Sequence, residues 1–287
     1  DGRFDTDFWT KEPKINPNLT YKRIGDCLLK SQYGISISMN EEGIGYPIYR
    51  MNEIHNMSIS QLKVRLMEEA DAIRQEDIQI SRNIGEYGFK LLDELGKGVG
   101  IMTHCNAGTL ATAKYGTALA PMYIALEHGW DPKNDMHVYC DETRPLLQGA
   151  RLSAYEMQAA GIDTYVQCDN MASYTMKEGK VGIIFVGCDR VAANGDFANK
   201  IGTSGVAIIA KHYGIPFYVC APSSTIDMTL ESGDEIHIEQ RKGKEVTEMW
   251  YEERMAPEGV GVVNPAFDVT DHSLVTGIIT EKGIAYA

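Results

Sequence analysis

From residue 59 the chain alternates apolar and polar positions with a helical period. The run ISQLKVRLMEEADAIRQEDIQISRNIGEYGFKLL places apolar residues three and four apart, with a break expected near Gly85. After Gly96 the rhythm changes to short apolar runs separated by longer amphipathic ones. GVGIMTHC, MHVYCDE, TYVQCDN, VGIIFVGCD and IPFYVCAPS read as strands. ATAKYGTALAPMYIALEHG, PLLQGARLSAYEMQAAG, ASYTMKEG and KIGTSGVAIIAKHYG read as the helices between them. This order predicts an α/β fold, a Rossmann-like parallel sheet flanked by helices. A helical segment over 59–96 precedes the sheet domain of 97–287. Residues 1–58 lack helical periodicity of any length and form an atypical N-terminal segment.

Ligands of open parallel sheets bind beyond the carboxyl ends of the strands. The sequence gathers its reactive side chains there. Cys105 follows GIMTH, and Asp141, Glu142 and Arg144 follow HVYC. Asp169 and Asn170 follow YVQC, Asp189 and Arg190 follow IIFVGC, and Ser223 and Ser224 follow FYVCAP. Five polar strand ends on one rim point to a site. At the first, a helix mouth of Gly, Ala and Thr would draw an anion to its N–H groups and favour a thiolate at Cys105. The alternative is a buried structural cysteine. Asp189, directly after an apolar strand, is expected to be poorly solvated, which raises a carboxyl pKa and suits a general acid. The alternative is a turn carboxylate paired with Arg190. Asn194, Gly195, Asn199 and Lys200 are placed in the following loop, where Lys200 would meet a phosphate. Pro145 fits a first helical turn, with Gln148 and Arg151 on roughly one face. Arg144 and Arg151 would contact phosphate or pair with Glu142 and Glu156.

Charge and composition narrow the classes. A formal net charge of −13 argues against a general nucleic-acid binder. No apolar run is long enough to span a bilayer, and no leader is recognised. The chain begins without Met, as a fragment or a processed product would. Six cysteines at 27, 105, 140, 168, 188 and 220 form no CxxC pair, and reduced thiols in a cytoplasm are expected. The remaining histidines show no metal-ligand spacing.

THCNAGTLATAKYGTAL, DETRPLLQGARLSAYE, DNMASYTM, GCDRVAANGDFANKIGTSGVA, APSSTID, SGDEIHIE, APEGVGVVNPAFDVT and IITEKG together resemble the methylthioribose-1-phosphate isomerases. The resemblance runs in order over about residues 59–287. It extends to a superfamily with ribose-1,5-bisphosphate and deoxyribose-1-phosphate isomerases and the regulatory subunits of the translation-initiation guanine-exchange factor. It implies an aldose–ketose isomerase, converting S-methyl-5-thioribose-1-phosphate to S-methyl-5-thioribulose-1-phosphate in methionine salvage. Cys105 and Asp189 would be catalytic, and Gln148, Asn199 and Lys200 substrate-binding. A homodimer without metal or organic cofactor is implied. The alternatives are a non-catalytic regulatory or binding member of that superfamily, or an isomerase of ribose-1,5-bisphosphate or 5-deoxyribose-1-phosphate.

The family's Arg-Gly-Ala-Pro-Ala motif is not found in residues 1–58, so weakened sugar-phosphate binding is expected. GRFDTDFW and IGDCLLKSQYGISISMNEEGIGYPIYRMNEI are instead similar to target-recognition segments of restriction–modification specificity subunits. That segment is not a basic footprint, and a fusion or assembly join is favoured over DNA binding.

Overall fold

A computed structural model describes residues 58–286. The expectations for residues 1–57 therefore lie outside the described residues. The chain divides into two compact units, residues 1–78 and 79–287.

Helix α1 (Ile59–Leu95) opens on a reciprocal cap. Gln61 N–H donates to Ser58 Oγ at 3.3 Å, and Ser58 N–H donates back to Gln61 Oε1 at 2.9 Å. The expected break at Gly85 is absent, and the helix is continuous over 37 residues. A Cβ at Gly85 would stand 2.6 Å from Ile124 Cγ1, and one at Gly88 2.4 Å from Pro121 Cγ. These glycines permit close contact with a neighbouring helix, and helical hydrogen bonding carries on through them.

The second unit is built on a seven-stranded sheet. Its strands are β1 (Val99–Thr103), β2 (Met136–Asp141), β3 (Asp163–Gln167) and β4 (Ile183–Val186). After β5 (Arg190–Ala192) and β6 (Phe197–Lys200), which belong elsewhere, comes β7 (Phe217–Cys220). After β8 (Ile226–Asp227) and β9 (Phe267–Thr270) come β10 (Gly277–Thr280) and β11 (Gly283–Tyr286). The order is β11-β10-β7-β4-β1-β2-β3, parallel except for the terminal β10–β11 hairpin. Helices α2 (Ala120–Glu127), α3 (Ala154–Ala159), α4 (Ala172–Lys177) and α5 (Thr203–Tyr213) flank it, and a short α6 (Lys244–Thr247) follows.

Alternation along the strands explains why both faces are covered. Ile101, Ile183, Phe185, Tyr218 and Cys220 join one core with Ile84 and Leu92 of α1, Met122 of α2 and Met157 of α3. Their neighbours Met102, Ile184, Val186, Phe217 and Val219 join the other, with Met176 of α4 and Val206 and Ala210 of α5. Strands buried on both sides read as continuous apolar runs, which is why β1, β4 and β7 were visible. A full Leu, Ile or Phe side chain in either core stabilises the fold by about 1.5–3 kcal/mol.

Three expectations need correction. The Gly-, Ala- and Thr-rich stretch after Cys105 is not helical: residues 104–119 form turns, and α2 starts only at Ala120, with Pro121 in its first turn. The helix expected from Pro145 follows a cis Arg144–Pro145 bond and a π-helical turn over Gly149–Ser153, and becomes α-helical only at Ala154. Asn199 and Lys200 lie on a strand, where a loop was expected. β5 and β6 form an antiparallel hairpin around Asn194-Gly195, part of a four-stranded sheet ordered β8-β5-β6-β9.

Candidate active site

The chain winds from β1 toward β2 and β3 on one side, and from β4 toward β7 and β10 on the other. The crevice beyond adjacent strands β1 and β4 is thus where the winding reverses, the place such sheets bind ligands. Cys105 follows β1 and Asp189 follows β4.

Cys105 is held by its backbone. It adopts φ 67°. Its N–H donates to Thr143 Oγ1 at 2.8 Å, and its carbonyl accepts from Ser153 Oγ at 2.6 Å. Burial pushes the thiol up to about 11, eased by the Lys200 charge and reinforced by the Asp189 and Asp169 carboxylates. The direction opposes the thiolate expected from a helix mouth, because burial disfavours the charged sulfur and no helix starts there to offset it. The N–H groups of Thr109 and Leu110 are turned to Glu156, at 2.6 and 3.2 Å. That carboxylate, 4% exposed, also accepts from Asn106 Nδ2, Thr109 Oγ1 and Tyr123 OH. An acidic side chain of the chain itself thus occupies the donors that an anion would have used.

Asp189 is exposed, so the expected poor solvation is not found. Its N–H donates to Ala198 O at 2.9 Å, fixing the end of β4 against β6. Arg190 pairs with Asp227 at 2.5 Å. Asn199 is buried, and its Nδ2 donates to Thr203 Oγ1 at 3.0 Å. Thr203 Oγ1 donates in turn to Lys200 O at 2.7 Å. The Lys200 ammonium lies 4.0 Å from the centre of the Phe267 ring.

Gln148 precedes the π-helical turn. Its Oε1 is buried and accepts from no donor among the described residues. A buried amide oxygen without a donor is costly and invites a ligand hydroxyl. Arg144 and Arg151 are committed to their surroundings. Arg144 donates to Val246 O at 2.7 Å and stacks over Tyr251, while Arg151 donates to Leu146 O at 3.1 Å and lies over Trp250. Neither pairs with Glu142 or Glu156 among the described residues. Ser223 is bound to Glu281 through both its N–H and its hydroxyl, which withdraws the β7 end from the site.

Beneath Cys105 lies a buried network that reading the sequence did not assemble. His104 Nδ1 lies 3.3 Å from Asp141 Oδ2, and its Nε2 lies 2.9 Å from Ile201 O. Asp169 accepts from the N–H groups of Thr143 and Arg144, both at 2.7 Å. His104, Asp141 and Asp169 are grouped as cation ligands would be. Their atoms are already spent on protein partners, Asp141 Oδ1 on Gln167 Nε2 included. The arrangement is a hydrogen-bonded brace joining four strand ends. The sequence signals for it were Asp141 and Asp169 at their strand ends and a His adjoining Cys105, and Glu156 gave none beyond its place on a helix.

Residues 28–287 match the model of the initiation factor 2 subunit family, beginning upstream of the composition change near residue 58. A methylthioribose-1-phosphate isomerase from Symbiobacterium thermophilum is 63% identical over 227 residues, 79% of this chain and 61% of that protein. A 5-deoxyribose 1-phosphate isomerase from Bacillus cereus is 57% identical over 236 residues, 82% of this chain and 65% of that protein. The crystal structure of 5-methylthioribose 1-phosphate isomerase from Pyrococcus horikoshii OT3 superposes with a TM-score of 0.74 at 42% identity, covering 83% of this chain and 64% of that one. The chain thus spans less than two thirds of the length of these relatives. A match over nearly its whole length, together with the parallel-rich sheet and its strand-end residues, places the chain in the initiation factor 2 subunit family.

Proposed function

We propose that the chain is an aldose–ketose isomerase of a 1-phosphorylated pentose, with S-methyl-5-thioribose-1-phosphate the favoured substrate. The observation that carries this reading is the placement of Cys105 just past β1 and of Asp189 just past β4, at the crevice between these adjacent strands. The 63% relative named for methylthioribose-1-phosphate favours that substrate over 5-deoxyribose-1-phosphate, named for a relative at 57%. Gln148 Oε1 would accept from a sugar hydroxyl, and Lys200 with Asn199 would meet the phosphate. The order β3-β2-β1-β4-β7-β10 is that of a Rossmann-like doubly wound sheet, and this reading supports the fold expectation as well.

Asp189 donates a proton to the ring oxygen as the bond from that oxygen to C1 breaks. Hydrogen then passes from C2 to C1, C2 becomes the ketone, and the proton of the C2 hydroxyl returns to the Asp189 carboxylate. A thiol pushed up to about 11 is neutral at pH 7. Neutral sulfur is a poor base toward carbon-bound hydrogen, which favours a direct hydride shift beside an apolar Cys105. Turnover of methylthioribose-1-phosphate, 5-deoxyribose-1-phosphate and ribose-1,5-bisphosphate by the purified chain tests the reading. With C2-deuterated substrate, deuterium retained at C1 supports the hydride shift, and washout to solvent refutes it. A regulatory member without catalysis, the reading suggested by the family's name, would turn over none of the three.

Two copies are proposed to pair. Tyr165 and Val166 are exposed on edge strand β3, and Tyr155, Met171 and Tyr174 are exposed nearby in sequence on the adjoining helical turns. Light scattering that gives a monomer at high concentration would refute pairing. A cytoplasmic setting is supported by five free thiols among the described residues. No helix among the described residues is long and apolar enough to cross a membrane.

A further inference from the structure

We propose that His104 is a positioning residue, one that fixes the Lys200 loop to the strand end carrying Cys105 by bonding at once to Asp141 and to the Ile201 carbonyl. The ring is 1% exposed and next to Cys105 in the chain. Nε2 faces a carbonyl at 2.9 Å and must donate to it. Nδ1 faces the Asp141 carboxylate at 3.3 Å. The ring also abuts Gly202, where an added Cβ would fall 2.8 Å from His104 Cε1 and where φ is 105°. Gly202 and Ser204 present their N–H groups to Asp268 at 2.8 and 3.2 Å, so the loop is gripped from β9 as well. Lys200, one residue before Ile201, therefore stands where His104 and Asp268 put its backbone.

With the Asp141 carboxylate ionised, two acceptors on two ring nitrogens call for an imidazolium; burial pushes the Asp141 carboxyl up, and its bonds to His104 and Gln167 work against that rise. Burial opposes the charge, but the bond and charge of Asp141, the charge of Asp169 and the Ile201 carbonyl outweigh it and hold His104 above its ordinary range. The charged groups facing the ring are Asp141 of β2, Asp169 beyond β3 and Asp268 of β9. A raised histidine is charged below its ordinary value of about 6.5 and loses its proton as pH rises through the higher folded value. Above that point one of its two bonds is lost and the loop loosens.

The kinetic consequence rests on the isomerase reading, but the placement does not. His104→Asn keeps a donor near Nδ1 and gives up Ile201, whereas His104→Gln keeps a donor near Nε2 and gives up Asp141. Loss of a hydrogen bond from a charged donor corresponds to about 10- to 100-fold in affinity. KM for the sugar phosphate is expected to rise by about that factor in His104→Asn and less in His104→Gln, with a smaller change in kcat. Both variants should lose the alkaline limb that belongs to His104. Hydrogen–deuterium exchange over residues 198–206 should rise in His104→Asn more than in His104→Gln, whether or not any substrate is turned over. Equal exchange in the two variants overturns the proposal. A chain that turns over nothing yet shows the split in exchange overturns only the isomerase reading. If His104→Asn does not fold, ring 15N spectra of the unsubstituted chain decide: two protonated nitrogens at pH 7 support the proposal, and a neutral ring refutes it.

Discussion

Two small-residue stretches, each following a strand, look alike in composition and fold differently. After β1, residues 104–119 stay irregular until α2. After β6, Ile201 and Gly202 lead at once into α5, which runs from Thr203 to Tyr213. The second stretch has an apolar stripe, with Val206, Ala207 and Ala210 all buried on the sheet. Its first N–H groups are met by Asp268. The first has no such stripe, and Glu156 on another helix takes the N–H groups of Thr109 and Leu110 for itself. Small residues allow a helix, but a buried face stabilises one. The difference also separates two ways of placing a reactive group. Cys105 is held by backbone bonds inside an irregular loop, whereas Lys200 ends a strand whose loop is gripped on both sides.

Removing the reactive groups gives the largest effect. Asp189→Asn, which loses the proton donor, should lower turnover by about 10²- to 10⁴-fold, and Cys105→Ala by less, each leaving the melting temperature nearly unchanged. Steady-state kinetics with the favoured substrate checks this. Turnover equal to that of the unsubstituted chain would make the residue structural.

Glu156→Gln tests the irregular stretch. Five donors converge on this carboxylate, and an amide turns a donor toward some of them. Leaving buried donors unmet costs about 1–3 kcal/mol. Urea unfolding should shift by that amount, and hydrogen exchange should rise over residues 106–112 but not over 198–206. Asp268→Asn is the counterpart at α5. Its amide still accepts from Gly202 or Ser204 through one oxygen, so a loss of about 1 kcal/mol is expected, with exchange rising in 198–206 only.

The contrast bears on what could be read in advance. β1, β4 and β7 were legible because strands covered on both faces leave apolar runs, and Cys105, Asp189 and Gln148 stood out within recognisable motifs. The hairpin β5–β6 was not. Its strands are three and four residues long, too short to show alternation, although Asn194-Gly195 was the available turn signal. β10 and β11 were missed for the same reason. Glu156 and His104 act across 50 and 97 residues of chain, to Asn106 and Ile201, and no local pattern encodes such pairings. The exposure of Asp189 was misjudged because a strand's apolar run describes its own burial and not that of the residue after it.

The smallest difference comes from two buried hydroxyls in matched positions. Ser153 Oγ donates to Cys105 O, and Thr203 Oγ1 donates to Lys200 O. Each removal forfeits one net hydrogen bond, about 1 kcal/mol. The consequences differ in what is left behind. Asn106 Nδ2, which also reaches Ser153 Oγ, keeps Glu156 as its acceptor at 2.9 Å. Thr203 Oγ1 is the acceptor for Asn199 Nδ2, and both residues are buried. Thr203→Val therefore strands a buried amide as well as a carbonyl, while Ser153→Ala strands only a carbonyl. Denaturant unfolding should show Thr203→Val destabilised by about 1 kcal/mol more than Ser153→Ala. Equal losses would mean that Asn199 finds another acceptor, and that the loop at Lys200 is held less tightly than its hydrogen bonds indicate.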